Sequence, residues 1–140
     1  MWLGLLGMVI AAAFTGAALY INVAEHPARM HLPPMEALVQ WEPAYRRGVT
    51  MQGGLAVLGG ACAIAGWWTT GERLWLAGGL VLLLNWPYTL LVIMPVNRVL
   101  QSATHDDGSV SARLEQWSRL HAGRTLLGAV ATALMFVGAL

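Results

Sequence analysis

The sequence predicts an all-α integral membrane protein, a four-helix bundle with a short interfacial helix in its first connection, and three observations predict it. Hydrophobic residues make up 57% of the 140 residues and charged residues only 11%, where a soluble domain carries about a quarter charged. Three stretches, Met1–Ala24, Gly48–Gly71 and Leu74–Asn97, are each 24 residues long and free of Asp, Glu, Lys, Arg and His. A hydrocarbon core about 30 Å thick takes roughly 20 residues of helix to cross. Tryptophans fall in two bands, with Trp2, Trp67, Trp68 and Trp75 toward one water interface and Trp41 and Trp117 toward the other, as an aromatic belt requires.

The elements follow in order within a single transmembrane domain, 1–140. Helix 1, about 2–26, is expected to stop at His26, because a residue before proline avoids the helical region. No basic residue precedes its apolar run, which is also too long for a signal sequence, so it is expected to be a retained span. The first connection holds Pro27, Pro33, Pro34 and Pro43. Pro34 suits the first turn of a short interfacial helix over 34–41. Helix 2 follows over 43–68, and Thr69-Thr70-Gly71-Glu72 turns into helix 3, 74–99. The segment from Gln101 to Ser109, with His105, Asp106, Asp107 and Gly108, reads as a solvated loop. Thr125–Leu140 is a charge-free run of only 16 residues, so helix 4 must begin earlier, over 110–139. Glycine and alanine crowd helix 2, where small side chains let transmembrane backbones approach. Cys62, the single cysteine, excludes an internal disulfide and reads as a small packed residue.

The net charge of +1 and the lack of a basic stretch with interleaved aromatics exclude nucleic acid as a partner. Seven of the eight arginines lie at one end of the bundle, and only Arg73 at the other. The positive-inside rule places the arginine-rich end in the cytoplasm and both termini outside it.

Polar groups are costly in hydrocarbon, so the ones that remain mark candidate chemistry. Asn22, Glu25 and His26 share a face at the end of helix 1 by their spacing of three and four. Helix 2 opens with Tyr45, Arg46 and Gln52. Helix 3 carries Asn85, Tyr88 and Thr89 near mid-membrane, with Asn97 at its end. Helix 4 presents Trp117, His121 and Arg124 at i, i+4 and i+7. In an antiparallel bundle these ends meet, so the polar residues are expected to converge at the cytoplasmic mouth, with Asn85 and Tyr88 as the floor. His121, His26, Glu25 and Arg124 are the candidate catalytic residues. Tyr45, Arg46, Gln52, Asn85, Tyr88, Asn97 and Trp117 are the candidate substrate contacts. Each also has a plainer reading: Glu25 pairs with Arg29 four residues on, His26 caps a helix end, and Asn85 cross-links helices. The sequence requires no cofactor. A metal ion, if one binds, falls to His26, His121 and Glu25, although no HxxxH or ExxH pair lies on one helix.

The segments Ala18–Arg29, Trp41 with Tyr45-Arg46-Arg47-Gly48 and Met51-Gln52, Asn85–Leu90 through Pro95 and Asn97, and Trp117 with Arg119–Ala122 and Arg124 resemble the DUF1772 family of small membrane proteins, in its bacterial branch. The family is also called anthrone oxygenase-like. The resemblance touches all four helices. It implies a bacterial inner-membrane protein related to enzymes that oxidise an anthrone to an anthraquinone with molecular oxygen. Two readings stand at this stage. One is an oxygenase or oxidoreductase acting on a hydrophobic aromatic or quinone-like molecule drawn from the bilayer. The other is a non-catalytic membrane protein that binds a lipid or quinone, or a subunit of a membrane complex. The glycine-rich second helix is also compatible with a homo-oligomer. A cavity filled by its own side chains, with His121 paired to Glu25, would favour the non-catalytic reading.

Overall fold

Each apolar run folds as one long helix. In the computed structural model, which describes residues 1–140, the chain forms α1 (Trp2–Arg29), α2 (Pro34–Thr70), α3 (Arg73–Ser102) and α4 (Val110–Val137), all long and apolar enough to cross a membrane. Each helix packs on its neighbours in sequence, and α1 closes the ring against α4. The result is an antiparallel up-down four-helix bundle.

Two prolines are accommodated rather than avoided. Pro27 suggests a helix end at His26, but α1 continues to Arg29 through a widened π turn over Ile21–Glu25. Pro27 has no N–H to give to the carbonyl of Val23 and its ring crowds that carbonyl. Widening the turn moves the carbonyl aside and keeps the helix going. In α3 the same device appears over Thr89–Ile93, where Pro95 faces the carbonyl of Leu91.

The short helix expected over 34–41 is not separate. It forms the opening turns of α2, which runs unbroken through Pro43. Contacts four residues apart bridge the proline: Tyr45 stacks on Trp41 with ring centroids 4.9 Å apart, and Arg46 bonds Glu42 at 2.8 Å. At the far end of α2, Gly71 takes the left-handed conformation (φ 79°) that closes the helix, a geometry glycine adopts without a Cβ penalty.

The bundle is inverted relative to a soluble one. Only 34 of 140 residues are buried, and eight of those are polar or charged: His26, Arg29, Gln52, Asn85, Thr89, Asn97, His121 and Arg124. The outside carries Trp68, Trp2 and Leu91 at 80%, 77% and 76% exposure. Such a surface is stable only against lipid, so the protein is an integral membrane protein. An apolar core of Ala11, Phe14, Ala18, Ala56, Ala63, Trp75, Leu82, Ala131 and Met135 fills the half nearer the termini. Aromatic and branched residues around Trp41, Ile93, Leu114 and Trp117 fill the arginine-rich half.

Helices α1 and α2 touch backbone to backbone. A Cβ placed on Gly66 would lie 2.6 Å from the amide nitrogen of Gly4 and 2.7 Å from its Cα. Backbone cannot yield as a flexible side chain does. We therefore expect Gly66→Ala to destabilise the protein by about 2 kcal/mol, read from thermal unfolding in detergent. The Gly54→Ala control, where a Cβ meets nothing within 4 Å, is expected to be neutral or stabilising by up to about 1 kcal/mol.

Candidate functional site

Both π turns border one polar interior. Ile21 and Glu25 from the first, with Thr89 and Ile93 from the second, line a chamber of about 20 Å³ shared with Arg29, Tyr45, Gln52, Trp117, His121 and Arg124. That volume is about enough for one water-sized molecule. Tyr45, Val49, Thr89 and Arg124 also line a second, larger space, a cleft of about 420 Å³ between α2 and α3. Its floor is formed by the buried Gly53, Ala56, Asn85, Thr89 and Arg124, and its rim by the exposed Thr50, Trp86 and Leu90. The rim therefore opens sideways, onto the lipid-facing surface. Sequence reasoning misses this cleft. It exists because Gly53 and Ala56 leave the α2 wall without bulk, while the Trp86 indole bridges to α2, donating to the Gly53 carbonyl at 3.3 Å.

His121 is buried and lies on the chamber wall. Its ring stands 5.0 Å from that of Trp117, and its Nδ1 is 3.1 Å from Asn22 Oδ1. One turn deeper, the Arg124 guanidinium sits over the Phe14 ring at 5.5 Å, and its Nε has no protein partner. Gln52 is buried with both amide atoms unpartnered, and Asn85 donates to the Leu82 carbonyl at 3.0 Å while its Oδ1 accepts nothing. Buried polar atoms nearly always find partners. Here the unmatched ones of Gln52, Asn85 and Arg124 line the chamber and the cleft.

Several sequence candidates lie elsewhere. Arg46 points outward, paired with Glu42 in an ion pair exposed on both sides, and lines neither space. Exposed pairs of this kind contribute little, so Arg46→Ala is expected to change unfolding free energy by less than about 0.5 kcal/mol and to leave ligand binding intact, as a binding titration would show. Tyr88 ties α3 to α4 by donating to the Leu120 carbonyl at 2.7 Å, its hydroxyl resting where Gly123 has no side chain. Asn97 is fully buried but borders neither space. His26 is buried with its Nε2 3.8 Å from Glu115 and its ring 6.1 Å from Trp117, and it too lies off the chamber. Glu25 does reach the chamber, but its carboxylate accepts from Arg29 at 2.5 Å, the plainer of its two expected roles, rather than from His121. Gln40 also accepts from Arg29 Nε.

His26, His121 and Glu25 do not form a metal-ligand set, and no three His, Cys, Asp or Glu side chains stand together in a way that could hold an ion. Beyond the candidate catalytic and substrate-contact residues, Thr89 and Arg29 line the chamber, and Asn22 meets it through His121. Thr125, which donates to Asn22 Oδ1 at 2.8 Å, joins them. Its signal was in the spacing, since Ser118, His121 and Thr125 form one ridge of α4 facing Asn22.

Comparison with known families decides the relationship. The sequence profile of the anthrone oxygenase family matches residues 41–134, about two thirds of the chain. The protein is a member of the anthrone oxygenase family. No curated protein and no solved structure matches it. The part matched to the anthrone oxygenase family contains the whole floor of the cleft together with Tyr45, Gln52, His121 and Arg124. Asn22, Glu25 and Arg29, contributed by α1, lie outside it.

Proposed function

We propose that the protein is a membrane-embedded oxygenase that takes a hydrophobic aromatic or quinone-like molecule from the bilayer through the cleft between α2 and α3. The observation that carries this reading is the cleft itself. It has lipid-facing entry, small apolar walls, and at its inner end the unpartnered atoms of Arg124 and Asn85. Its volume, about 420 Å³, lies within the range of small-molecule sites, about 300–1,000 Å³. The protein's own side chains do not fill it, so the cleft has room for a ligand. The positive-inside rule assigns the arginine-rich end to the cytoplasm, so the chamber lies in the cytoplasmic half of the membrane.

The chemistry follows from what an anthrone offers, a methylene made acidic by a conjugated carbonyl. His121 lines the chamber beside the cleft, a chamber with room for one water, and through that relay it takes one of the two methylene protons. The electron pair left behind delocalises onto the carbonyl oxygen, where Arg124 stabilises the oxyanion and Asn85 orients the ring system. The carbanion then gives its electrons to molecular oxygen as the carbon–oxygen bond forms, and the proton returns to yield a hydroperoxide. Loss of the second hydrogen with cleavage of the oxygen–oxygen bond releases water and leaves a carbonyl. The balance is one methylene and one O₂ to one carbonyl and one water. Every step by the protein is a proton held or a charge stabilised.

The test is oxygen uptake by the protein in liposomes supplied with anthrone, against protein-free liposomes to account for autoxidation. Consumption above background, one O₂ per anthrone with anthraquinone as product, is the expected result. Uptake equal to background, with anthrone or quinone bound but unchanged, would establish the binding protein instead.

A further inference from the structure

We infer that Asn22 is a positioning residue that locks His121 in the tautomer carrying its proton on Nδ1, leaving the Nε2 lone pair as the basic nitrogen. This deepens the oxygenase reading and rests on it for its functional consequence, but the tautomer itself is readable without any turnover.

The Asn22 amide is oriented by α4. Its Nδ2 lies 3.0 Å from the backbone carbonyl of Ser118 and 3.5 Å from the Ser118 hydroxyl. A carbonyl only accepts, so the group facing it must be the NH₂; a flipped amide would set two acceptors against each other. Its Oδ1 then faces Thr125 Oγ1 at 2.8 Å and His121 Nδ1 at 3.1 Å. An amide oxygen also only accepts, so both neighbours must donate, and Nδ1 carries a hydrogen. In the neutral ring one nitrogen donates and the other accepts. Nε2 is left as the acceptor, on a side chain that lines the chamber beside Arg124, Gln52 and Tyr45.

The arrangement has the logic of a base oriented by a third group: the partner on one ring nitrogen sets the role of the other. An amide does this without adding charge. A carboxylate at position 22 would instead favour the imidazolium, which is no base. Packing against the Trp117 ring, tilted 32° to it, limits rotation of the imidazole, and Ser118, His121 and Thr125 on one ridge of α4 set its height.

The experiment is nitrogen-15 magnetic resonance of the full-length protein, histidine-labelled and reconstituted in nanodiscs. Subtracting the spectrum of His121→Gln identifies the resonances of His121 among the four histidines. In the unmodified protein His121 is expected to show a protonated Nδ1 and an unprotonated Nε2. A proton on Nε2 instead would overturn the inference with no variant needed. Asn22→Leu, which has no acceptor, is expected to release the ring to a mixture of tautomers. Thr125→Val, which removes the competing donor but leaves the His121 contact, is expected to keep the Nδ1–H form. An unchanged tautomer in a folded Asn22→Leu would equally contradict the assignment. If anthrone proves not to be oxidised while His121 shows the Nδ1–H form, the oxygenase reading fails and the positioning role stands.

Discussion

On the proposed oxygenase reading, His121→Gln is expected to lower the rate of anthrone consumption about 10²–10⁴-fold, the usual worth of a positioned general base. Glutamine is close to histidine in bulk, so it fills the same volume against Trp117 and can still donate to Asn22 Oδ1. It cannot take up a proton at neutral pH. Binding of anthrone, followed by quenching of tryptophan fluorescence, should change little, because the apolar walls and Arg124 remain. Loss of rate with retained binding is the pattern of a group that acts mainly in the transition state. A variant that is folded and binds anthrone but turns over at the unmodified rate would remove His121 from the mechanism.

Glu25→Ala has the largest expected effect on stability. Arg29 is held with its side chain 1% exposed, and the Glu25 carboxylate, 24% exposed, is the only acidic group paired with it. Its other polar partner, Gln40, is neutral and cannot offset the charge. Removing one member of a buried pair leaves an uncompensated charge, at a loss of roughly 3 kcal/mol. Removing both is different. The double replacement Glu25→Ala with Arg29→Met puts an apolar side chain where the cation was, and should recover most of the loss. Unfolding in detergent by heat or denaturant measures both. A small loss in the single variant, with no recovery in the double, would mean that the pair is not what holds the end of α1.

Much of the bundle was legible because lipid leaves a plain mark on sequence. Charges absent for 24 residues at a time have no other economical explanation. Tryptophan was a poorer guide: Trp2 and Trp68 face outward, but Trp41, Trp75 and Trp117, also expected in the belt, are buried in the bundle. The site was legible in kind for a related reason: Gln52, Asn85, His121 and Arg124 are residues that hydrocarbon disfavours, and each is buried. Phase did not show. An ideal 3.6-residue period places Asn22, Glu25 and His26 together, but the widened turn at Ile21–Glu25 rotates the last turns of α1 about the helix axis. Glu25 then borders the chamber while His26 turns toward Glu115. A second widened turn, Thr89–Ile93, lies between Asn85 and Asn97 in the same way. The prolines that cause these turns were visible, but proline alone does not say whether a helix ends or widens. The cleft was hidden for another reason. It depends on Gly53 and Ala56 facing Trp86 across two helices, and small residues in a membrane helix usually mean close packing rather than space.

The central claim is that lipid-soluble molecules reach Arg124 from the side, and thiol labelling tests it most directly. Thr89 is buried on the floor of the cleft, and cysteine is close to threonine in size. In a Cys62→Ala, Thr89→Cys protein reconstituted in liposomes, an apolar maleimide is expected to label position 89, a membrane-impermeant sulfonated reagent to fail from either side, and anthrone to slow the labelling. Labelling by the charged reagent, or labelling that anthrone does not slow, would contradict a substrate path opening to lipid.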